Sequence, residues 1–172
     1  KILNICGEKY SGKSHLSNIF KKKFNALKLN AHDLNNSHLK EFKVYENIIL
    51  DDFTENIDEN LMYTLFNIAD QDNKFILINS LKPINSMKFN LDDFSSRTKN
   101  CLLAQIENPD DELIFAILLK NFSDRQITIE KKLIDFIIKH IDRSYGKIHE
   151  FIYTIDEISL KKKKSIDFKI IK

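Results

Sequence analysis

The stretch "GEKYSGKSHL", residues 7–16, decides how this 172-residue chain is interpreted. The chain contains only three glycines, and two of them, Gly7 and Gly12, lie in this stretch. Its first eight residues match the pattern G-x-x-x-x-G-K-[ST] at every fixed position, and we call them the glycine loop. A short apolar run, residues 2–6, precedes the loop, and apolar residues at helical spacing follow it from Ser14 to Phe24. Strand, loop and helix in this order are the context in which the pattern binds phosphate.

The glycine loop is therefore predicted to bind the phosphates of ADP or ATP. Glycines let the backbone turn its N–H groups inward, and the N-terminus of the next helix adds positive potential. Lys13 is expected to contact the β- and γ-phosphates, and the Ser14 hydroxyl to bind Mg²⁺. A chance match in a flexible loop is the alternative, which the strand before and the helix after disfavour. The predicted cofactor-binding residues of this stretch are Gly7, Glu8, Lys9, Tyr10, Ser11, Gly12, Lys13, Ser14 and His15.

Two other apolar runs end in polar residues. "IILDDF" is predicted to be a buried strand ending at Asp51 and Asp52, and "FILINS" a neighbouring strand ending at Asn79 and Ser80. Ligands of open α/β sheets bind at the carboxyl ends of the strands. Asp51 is therefore the predicted metal ligand, and Asp52 the residue that orients or activates the attacking water. Asn79 and Ser80 either contact the γ-phosphate or its water, or simply end a strand.

The chain changes character after about residue 107. Before it, buried strands alternate with helices, which indicates a parallel sheet covered on both faces. Among these elements, "NLMYTLFNIADQ" is predicted to be a helix and "CLLAQIEN" a further buried strand. After it, three amphipathic helices follow one another, the first with Asn108 as cap and Pro109 at its first position, the third capped by Ser144. The predicted domains are an α/β core, residues 1–107, and a helical lid, residues 108–172. The run "KKKK" is predicted to end the last helix as a solvated segment.

Composition excludes several classes of protein. Hydrophobic residues make up 42% and charged residues 30%, as in globular domains, and a net charge of +2 does not indicate nucleic acid or membrane. The longest apolar runs are too short to span a bilayer. Cys6 and Cys101 lie in apolar runs, which is typical of buried, reduced thiols and of a cytoplasmic location. Because the chain begins at Lys1 on a strand-like run, we expect an N-terminal segment to be missing.

Arginine is scarce in this lysine-rich chain, which draws attention to Arg97 in "LDDFSSRTKN". An outward-facing arginine could act as an arginine finger on a nucleotide bound by a neighbouring molecule. The alternative is an ordinary surface arginine.

These motifs together resemble a known family. In their order and spacing, "GEKYSGKSHL", "IILDDF", "LFNIADQDNKFILINSLKP", "LDDFSSR" and "IENPDDELIFAILLKNFSDRQI" look like the AAA+ ATPases of the DnaA-type replication initiator family. They are most similar to the DnaA regulatory inactivators, the Hda-type proteins, over nearly the whole chain. The resemblance implies an α/β P-loop core with a five-stranded parallel sheet, followed by a small three-helix lid.

The resemblance also implies roles for single residues. Lys13 and Ser14 fall in Walker A, Asp51 and Asp52 in Walker B, Asn79 and Ser80 at sensor 1, and Arg97 at the arginine finger. In the inactivators this arginine is implied to act in trans, on DnaA associated with the DNA sliding clamp, so that DnaA-ATP becomes DnaA-ADP. The implied partners are thus the DnaA initiator and the clamp, with a homo-oligomer as a further expectation and no membrane.

The sequence departs from the family pattern in three ways. Gly146 stands where the family has its sensor 2 arginine, between Arg143 and Lys147, so at most weak hydrolysis in cis is expected. The segment that encloses adenine and the glutamine-led clamp-binding peptide are not in this chain. We also expect no DNA-binding domain after the lid. A DnaA-type initiator ATPase core without its DNA-binding domain remains an alternative; a small nucleotide kinase is disfavoured by the helical lid.

Overall fold

The structure, a computed structural model, describes residues 1–162. The chain divides into two compact units, of which the first is Lys1–Ile106 and the second begins at Glu107.

A five-stranded sheet forms the centre of the first unit. Its strands run in the order β2-β3-β4-β1-β5, and every neighbouring pair is parallel. Parallel neighbours require a crossover between strands, which the alternating helices supply. The predicted α/β class with a five-stranded parallel sheet is confirmed. The strands are β1 (Ile2–Cys6), β2 (Leu27–Asn30), β3 (Asn47–Phe53), β4 (Phe75–Ser80) and β5 (Leu102–Gln105).

The helices of the first unit connect these strands. They are α1 (Lys13–Phe24), α2 (Asn36–Phe42), α3 (Glu59–Gln71) and α4 (Asp92–Lys99), with short 3₁₀ turns at Ala31–Asp33 and Ile84–Ser86. Asn35 caps α2 and Asp58 caps α3, because their side-chain oxygens accept from the first free N–H groups of each helix. The sequence predicted α1 and α3, whereas α2 and α4 are too short for a clear apolar period.

The main core lies on one face of β3 and β4. Leu50 and Ile76 of the strands pack there with Phe42, Phe66 and Phe94 of the helices, all of them buried. Successive side chains of a strand point to opposite faces, so Ile49 and Leu77 belong to a smaller cluster on the other face. The two central strands are thus apolar on both faces, as the continuous apolar runs predicted.

Two expectations about burial are wrong. β5 was predicted to be a buried strand, but all its residues are exposed, Leu102 by 64%. It lies at the edge of the sheet and has only β1 as a paired strand in the described chain. Of the expected apolar side of α1, Phe20 packs against the smaller cluster, but Leu16, Ile19 and Phe24 are exposed, and only Ser17 of this helix is fully buried.

The second unit consists of helices α5 (Asp111–Asp124), α6 (Lys131–His140) and α7 (Tyr145–Lys162) as far as it is described. Their buried residues form a separate core that includes Phe122, Ile134 and Ile152. Asp110, not Asn108, caps α5, because its carboxylate accepts from the N–H of Leu113 at 2.8 Å.

The predicted start of α7 agrees with the structure, but its predicted end does not. The cap predicted at Ser144 is present, since its hydroxyl accepts from the N–H of Lys147. The helix runs through Lys161 and Lys162, which were expected to end it; the rest of "KKKK" lies outside the described residues. Within residues 1–162, no helix combines the length and the apolar character needed to cross a membrane.

Candidate nucleotide-binding site

The glycine loop connects β1 to α1 and is tied to the end of β4. The N–H of Gly7 donates to the carbonyl of Ser80 at 3.3 Å, and the N–H of Ser11 donates to the carbonyl of Glu8 at 3.2 Å. Gly12 caps α1 without a side-chain hydrogen bond. The positive end of α1 is therefore open to an anion, since no side chain at the cap position neutralises its N–H groups.

The two glycines of the loop are favoured for different reasons. Gly12 has a φ of 93°, a left-handed conformation that side chains with a Cβ rarely adopt. At Gly7, a Cβ would lie 3.0 Å from Cβ of Ile106 and 3.2 Å from its carbonyl oxygen, so these neighbours would have to shift to admit one. Tyr10 also has a positive φ, of 68°, although it is not glycine. Strained backbone of this kind persists where the surroundings impose it, and it is common in ligand-binding loops.

Lys13 folds back over the glycine loop. Its Nζ donates to the carbonyls of Gly7 at 2.7 Å and Glu8 at 2.8 Å. Burial lowers the pKa of the Lys13 ammonium, and the charge of Asp52 is the largest effect in the opposite direction. Phosphate oxygens are stronger acceptors for an ammonium than carbonyls, because the hydrogen bond is then assisted by charge on both partners.

Four of the remaining predicted residues of this stretch are exposed, whereas Glu8 and Ser11 are half-buried. Ser14 and His15 lie in the first turn of α1, and Lys9 and Tyr10 form the tip of the loop. The Nζ of Lys9 lies 5.3 Å from the centroid of the Tyr10 ring, a cation–π contact. The structure thus places these side chains on the solvent side of the loop.

Asn79 connects three elements beside the loop. Its side chain is buried, with 2% exposure, and its Nδ2 donates both to Oδ1 of Asp51 on β3 and to Oγ of Ser17 on α1. Within residues 1–162, the buried Oδ1 of Asn79 has no hydrogen-bond partner. Buried acceptors are nearly always satisfied, so this oxygen is suited to a donor from outside the protein, such as water.

Asp51 forms an ion pair that the sequence did not predict. Its Oδ2 lies 2.7 Å from Nζ of Lys28, which also donates to Oδ1 of Asn18 at 2.9 Å. The side chains of Lys28 and Asp51 are only 19% and 15% exposed. The sequence gives one indication of this ion pair: in "LKLN", strand alternation places Lys28 on the opposite face from its two leucine neighbours. The sequence does not show which strand β2 pairs with.

Asp52 points in a different direction from Asp51. The pairing of β3 with β4 is irregular between Leu50 and Phe53, and Asp52 has a φ of 54° at this bulge. A bulge redirects a side chain, and the Asp52 carboxylate is exposed as a result. Its Oδ2 accepts from Nδ2 of Asn30 at 3.2 Å. The two adjacent acids therefore have separate surroundings, one mostly buried and one in contact with solvent.

The comparisons with known proteins rest on the fold. No family model matches the sequence, and no curated protein matches it. Domain III of the replication initiation protein DnaA from Thermotoga maritima has a TM-score of 0.81 at 19% identity, covering 99% of this chain and 81% of that chain. AMPPCP-bound DnaA from Aquifex aeolicus has a TM-score of 0.71 at 20% identity, covering 93% of this chain and 56% of that chain. The RuvB Holliday junction branch migration motor from Thermotoga maritima has a TM-score of 0.72 at 14% identity, covering 98% and 59%.

The chain has the AAA+ fold. It spans little more than half the length of the second and third of these AAA+ proteins. The residues described above lie at the carboxyl ends of β1, β3 and β4, which is where ligands of an open α/β sheet bind.

Ser80 holds the end of β4 in place through hydrogen bonds. Its hydroxyl accepts from Nδ2 of Asn4 at 2.8 Å and donates to the carbonyl of Lys82 at 2.6 Å. The N–H of Ile84 donates in turn to Oδ1 of Asn4, at 2.9 Å. Asn4 and Ser80 are both buried, so this network fixes the end of β4 against β1. The side chain of Ser80 is thus committed to the protein, and its carbonyl is what supports the loop.

The residues predicted to bind Mg²⁺ have suitable chemistry. The hydroxyl of Ser14 and the carboxylate of Asp51 are oxygen donors, which this ion prefers. Among residues 1–162 no group of three or more His, Cys, Asp or Glu residues could hold a metal ion. Phosphate and water would therefore supply most of the ligands, as is usual for Mg²⁺ bound with a nucleotide. Both oxygens of Asp51, however, already have partners in Lys28 and Asn79.

Within the described part of the chain, Arg97 has no hydrogen bond or ion pair to the site residues described above. It occupies the last turn of α4, where its Nη1 forms an ion pair with Oδ2 of Asp70 on α3. Its guanidinium carbon lies 5.3 Å from the centroid of the Tyr63 ring. The side chains of Arg97 and Asp70 are 34% and 55% exposed, so the pair is in contact with solvent. The structure therefore places Arg97 at the surface, held to its own molecule.

Proposed function

We propose that this chain is a nucleotide-binding AAA+ regulator of replication initiation, which stimulates ATP hydrolysis by the DnaA initiator through Arg97 acting in trans. The observation that supports nucleotide binding is the glycine loop, with the Lys13 ammonium folded over it and the N-terminus of α1 open behind it. Among proteins of similar fold, DnaA from Aquifex aeolicus has been solved with AMPPCP, an ATP analogue.

Each residue of the site has a role in this proposal. The glycine loop and Lys13 bind the phosphates of ADP or ATP. Ser14 would hold Mg²⁺, and Asp51 would do so only where its pair with Lys28 opens; the ion neutralises phosphate charge when it is bound. Asn79 positions water through its unpaired Oδ1, and Asp52 faces the solvent from which water arrives.

Hydrolysis by the chain's own site is proposed to be weak. Gly146 stands at the position where the resemblance implies a sensor 2 arginine, and glycine offers no side-chain donor. The cations on either side of it are paired within the helical unit. Arg143 lies 2.9 Å from Asp111, and Lys147 lies 3.0 Å from Glu150. The site is therefore suited to retaining a nucleotide, and the hydrolysis that matters is assigned to the partner's site.

Arg97 is suited to act in trans because its ion pair with Asp70 is weak. A solvent-exposed ion pair typically contributes less than about 1 kcal/mol, so another anion can replace Asp70 at little cost. A guanidinium binds phosphate oxygens through two parallel hydrogen bonds, which an exposed carboxylate at a single contact does not match. The proposed partners, DnaA and the DNA sliding clamp, come from the sequence resemblance.

Single-turnover hydrolysis tests the proposal. DnaA loaded with radiolabelled ATP is mixed with this chain in the presence of clamp loaded on DNA, and the release of phosphate is followed. Arg97→Ala is expected to lower the stimulated rate by about 100-fold or more, since an arginine finger is worth at least that much. Arg125→Ala, in the helical unit, is the matched control and is expected to leave the rate unchanged. Equal stimulation by wild type and Arg97→Ala would refute the trans arginine.

Nucleotide binding is tested separately, with fluorescent mant-ADP. Lys13→Ala is expected to weaken binding by about 100-fold, because it removes a charged contact to phosphate. Lys22→Ala, at an exposed lysine of α1 outside the loop, and Arg97→Ala should both bind as the wild type does. An unchanged affinity in Lys13→Ala would refute the phosphate-binding role of the loop.

The ATPase core of a DnaA-type initiator is the second candidate function. It is favoured by the match to domain III of DnaA, which covers 99% of this chain. Mixing two inactive variants separates the candidates. If this chain hydrolyses its own ATP with an arginine from a neighbouring copy, Lys13→Ala and Arg97→Ala protein should regain activity when combined. A regulator that acts only on DnaA should show no such recovery.

A further inference from the structure

Lys28 is the counter-charge of Asp51, the carboxylate that the sequence predicts to bind a metal ion. Its Nζ lies 2.7 Å from Oδ2 of Asp51 and 2.9 Å from Oδ1 of Asn18, so it is fixed between β3 and α1. The other oxygen of Asp51 accepts from Asn79. With both side chains mostly buried, the carboxylate is neutralised and hydrogen-bonded within the protein.

An incoming divalent cation meets two obstacles at this carboxylate. The ammonium of Lys28 fills one side of it, and like charges a few ångströms apart repel strongly where water is scarce. Lys13 adds a second positive charge on the side of the loop. Mg²⁺ must therefore either displace Lys28 from a mostly buried pair or approach with the pair intact, and both routes weaken its binding.

We propose that Lys28 serves as an internal cation at Asp51, so that this chain binds a nucleoside diphosphate almost independently of Mg²⁺. The inference rests on the proposed function in one respect: a nucleotide must bind in the glycine loop. Lys28 is a positioning residue, since it acts on the nucleotide's metal ion through Asp51. A diphosphate retained without its metal ion also fits a site in which hydrolysis in cis is weak.

A purely structural role for Lys28 makes a different prediction. If the pair only joins β2 to β3, the loss of Lys28 lowers stability and leaves the effect of Mg²⁺ on nucleotide affinity as it was. The two roles are therefore separated by the ratio of two dissociation constants for mant-ADP, one measured in excess EDTA and one in excess Mg²⁺.

Four variants of the full chain make the experiment specific. In wild type, the two dissociation constants are expected to agree within about threefold. In Lys28→Met, Mg²⁺ should tighten mant-ADP binding by about tenfold, because the carboxylate is freed for the ion. Lys28→Arg, which keeps the charge, and Lys22→Met, which removes an exposed lysine of α1, should behave as wild type. Asn18→Ala, which removes only the second partner of Lys28, should give a smaller rise and serves if Lys28→Met does not fold.

A direct reading of metal binding accompanies these titrations. Mn²⁺ added to the ADP complex and followed by electron paramagnetic resonance should bind about tenfold more tightly to Lys28→Met than to wild type. Equal Mn²⁺ affinity in the two proteins, or a wild type that already binds mant-ADP tenfold more tightly with Mg²⁺, overturns the inference and leaves the proposed function standing. A wild type that binds no mant-ADP overturns the proposed function, and the inference with it.

Discussion

Two ion pairs of the first unit join a cation on one element to a carboxylate on another, and their surroundings differ. Lys28 and Asp51 are 19% and 15% exposed, and each has a further hydrogen-bond partner. Arg97 and Asp70 are 34% and 55% exposed, and the arginine lies against the ring of Tyr63. The first pair is enclosed between β2, β3 and α1, whereas the second joins two helices at the surface.

This difference shows how one unit can contain both a fixed and an exchangeable charge. Separating a mostly buried pair leaves an unpaired charge where water cannot compensate it, which is costly. Separating an exposed pair returns both groups to water at a cost below about 1 kcal/mol. The cation at the nucleotide site is therefore held in place, and the arginine at the surface can be transferred to another molecule.

The largest expected effect concerns stability. Asp51→Asn removes the charge that neutralises Lys28, so it should lower the free energy of unfolding by about 2–3 kcal/mol. Asp70→Asn removes the charge that pairs with Arg97 and should lower it by less than about 1 kcal/mol. Chemical unfolding followed by circular dichroism measures both. The contrast between the pairs fails if the two variants lose equal stability.

A smaller effect is expected on the activity proposed for Arg97. Asp70→Asn releases the guanidinium from its intramolecular partner, so stimulation of ATP hydrolysis by DnaA should rise by about threefold, the equivalent of a weak exposed pair. Asp72→Asn, two residues further along and also exposed, is the matched control and should change nothing. A lower rate in Asp70→Asn would show that the carboxylate positions Arg97 instead of withholding it.

The smallest effect is expected at Cys101, whose Sγ lies 3.7 Å from the carbonyl of Arg97. Burial, and to a smaller extent the charge of Asp70, raises the pKa of the Cys101 thiol to about 11. Alkylation by iodoacetamide, followed by mass spectrometry of the Cys101 peptide, should therefore be slow at neutral pH and rise towards pH 11. In Asp70→Asn the pH profile of alkylation should move to lower pH by less than about one unit, because the charge of Asp70, the smaller cause of the raised pKa, is removed.

The same thiol gives the sign of a pH dependence. Its pKa in the folded chain lies above the ordinary value of 9.0, so between these pH values the unfolded chain loses the proton first. Stability should therefore fall as the pH rises from about 9 to 11. Cys101→Ser should show a smaller decline over this range, and an identical decline would assign the effect to other groups.

The parts of the molecule that depend on local pattern could be predicted from the sequence. The glycine loop is a contiguous motif, and β3 and β4 are continuous apolar runs that end in the acids and the asparagine found at the site. Asp51 and Asn79 were expected at neighbouring strand ends, and the structure joins them by a hydrogen bond. Alternation of strands and helices was sufficient to predict the parallel sheet.

The partners of these residues could not be predicted, because they depend on how distant segments pair. Lys28 reaches Asp51 only because β2 pairs with β3 in the register that sets Lys28 opposite Ile49. β5 looked buried from its apolar letters, but its position at the edge of the sheet is a property of strand order. The bulge that separates Asp52 from Asp51 likewise belongs to the pairing of β3 with β4.

The close approach of Gly7 to Ile106 has a mechanical consequence. The space that a methyl group on Gly7 would need is filled by the side chain and carbonyl of Ile106, whose N–H also donates to the carbonyl of Cys6 at 2.8 Å. Ile106 is the last residue of the first unit, and Glu107 is the first of the second. Gly7, which begins the loop, thus lies against the residue at which the first unit ends. A methyl group at position 7 would therefore have to displace Ile106, the residue at which the first unit ends.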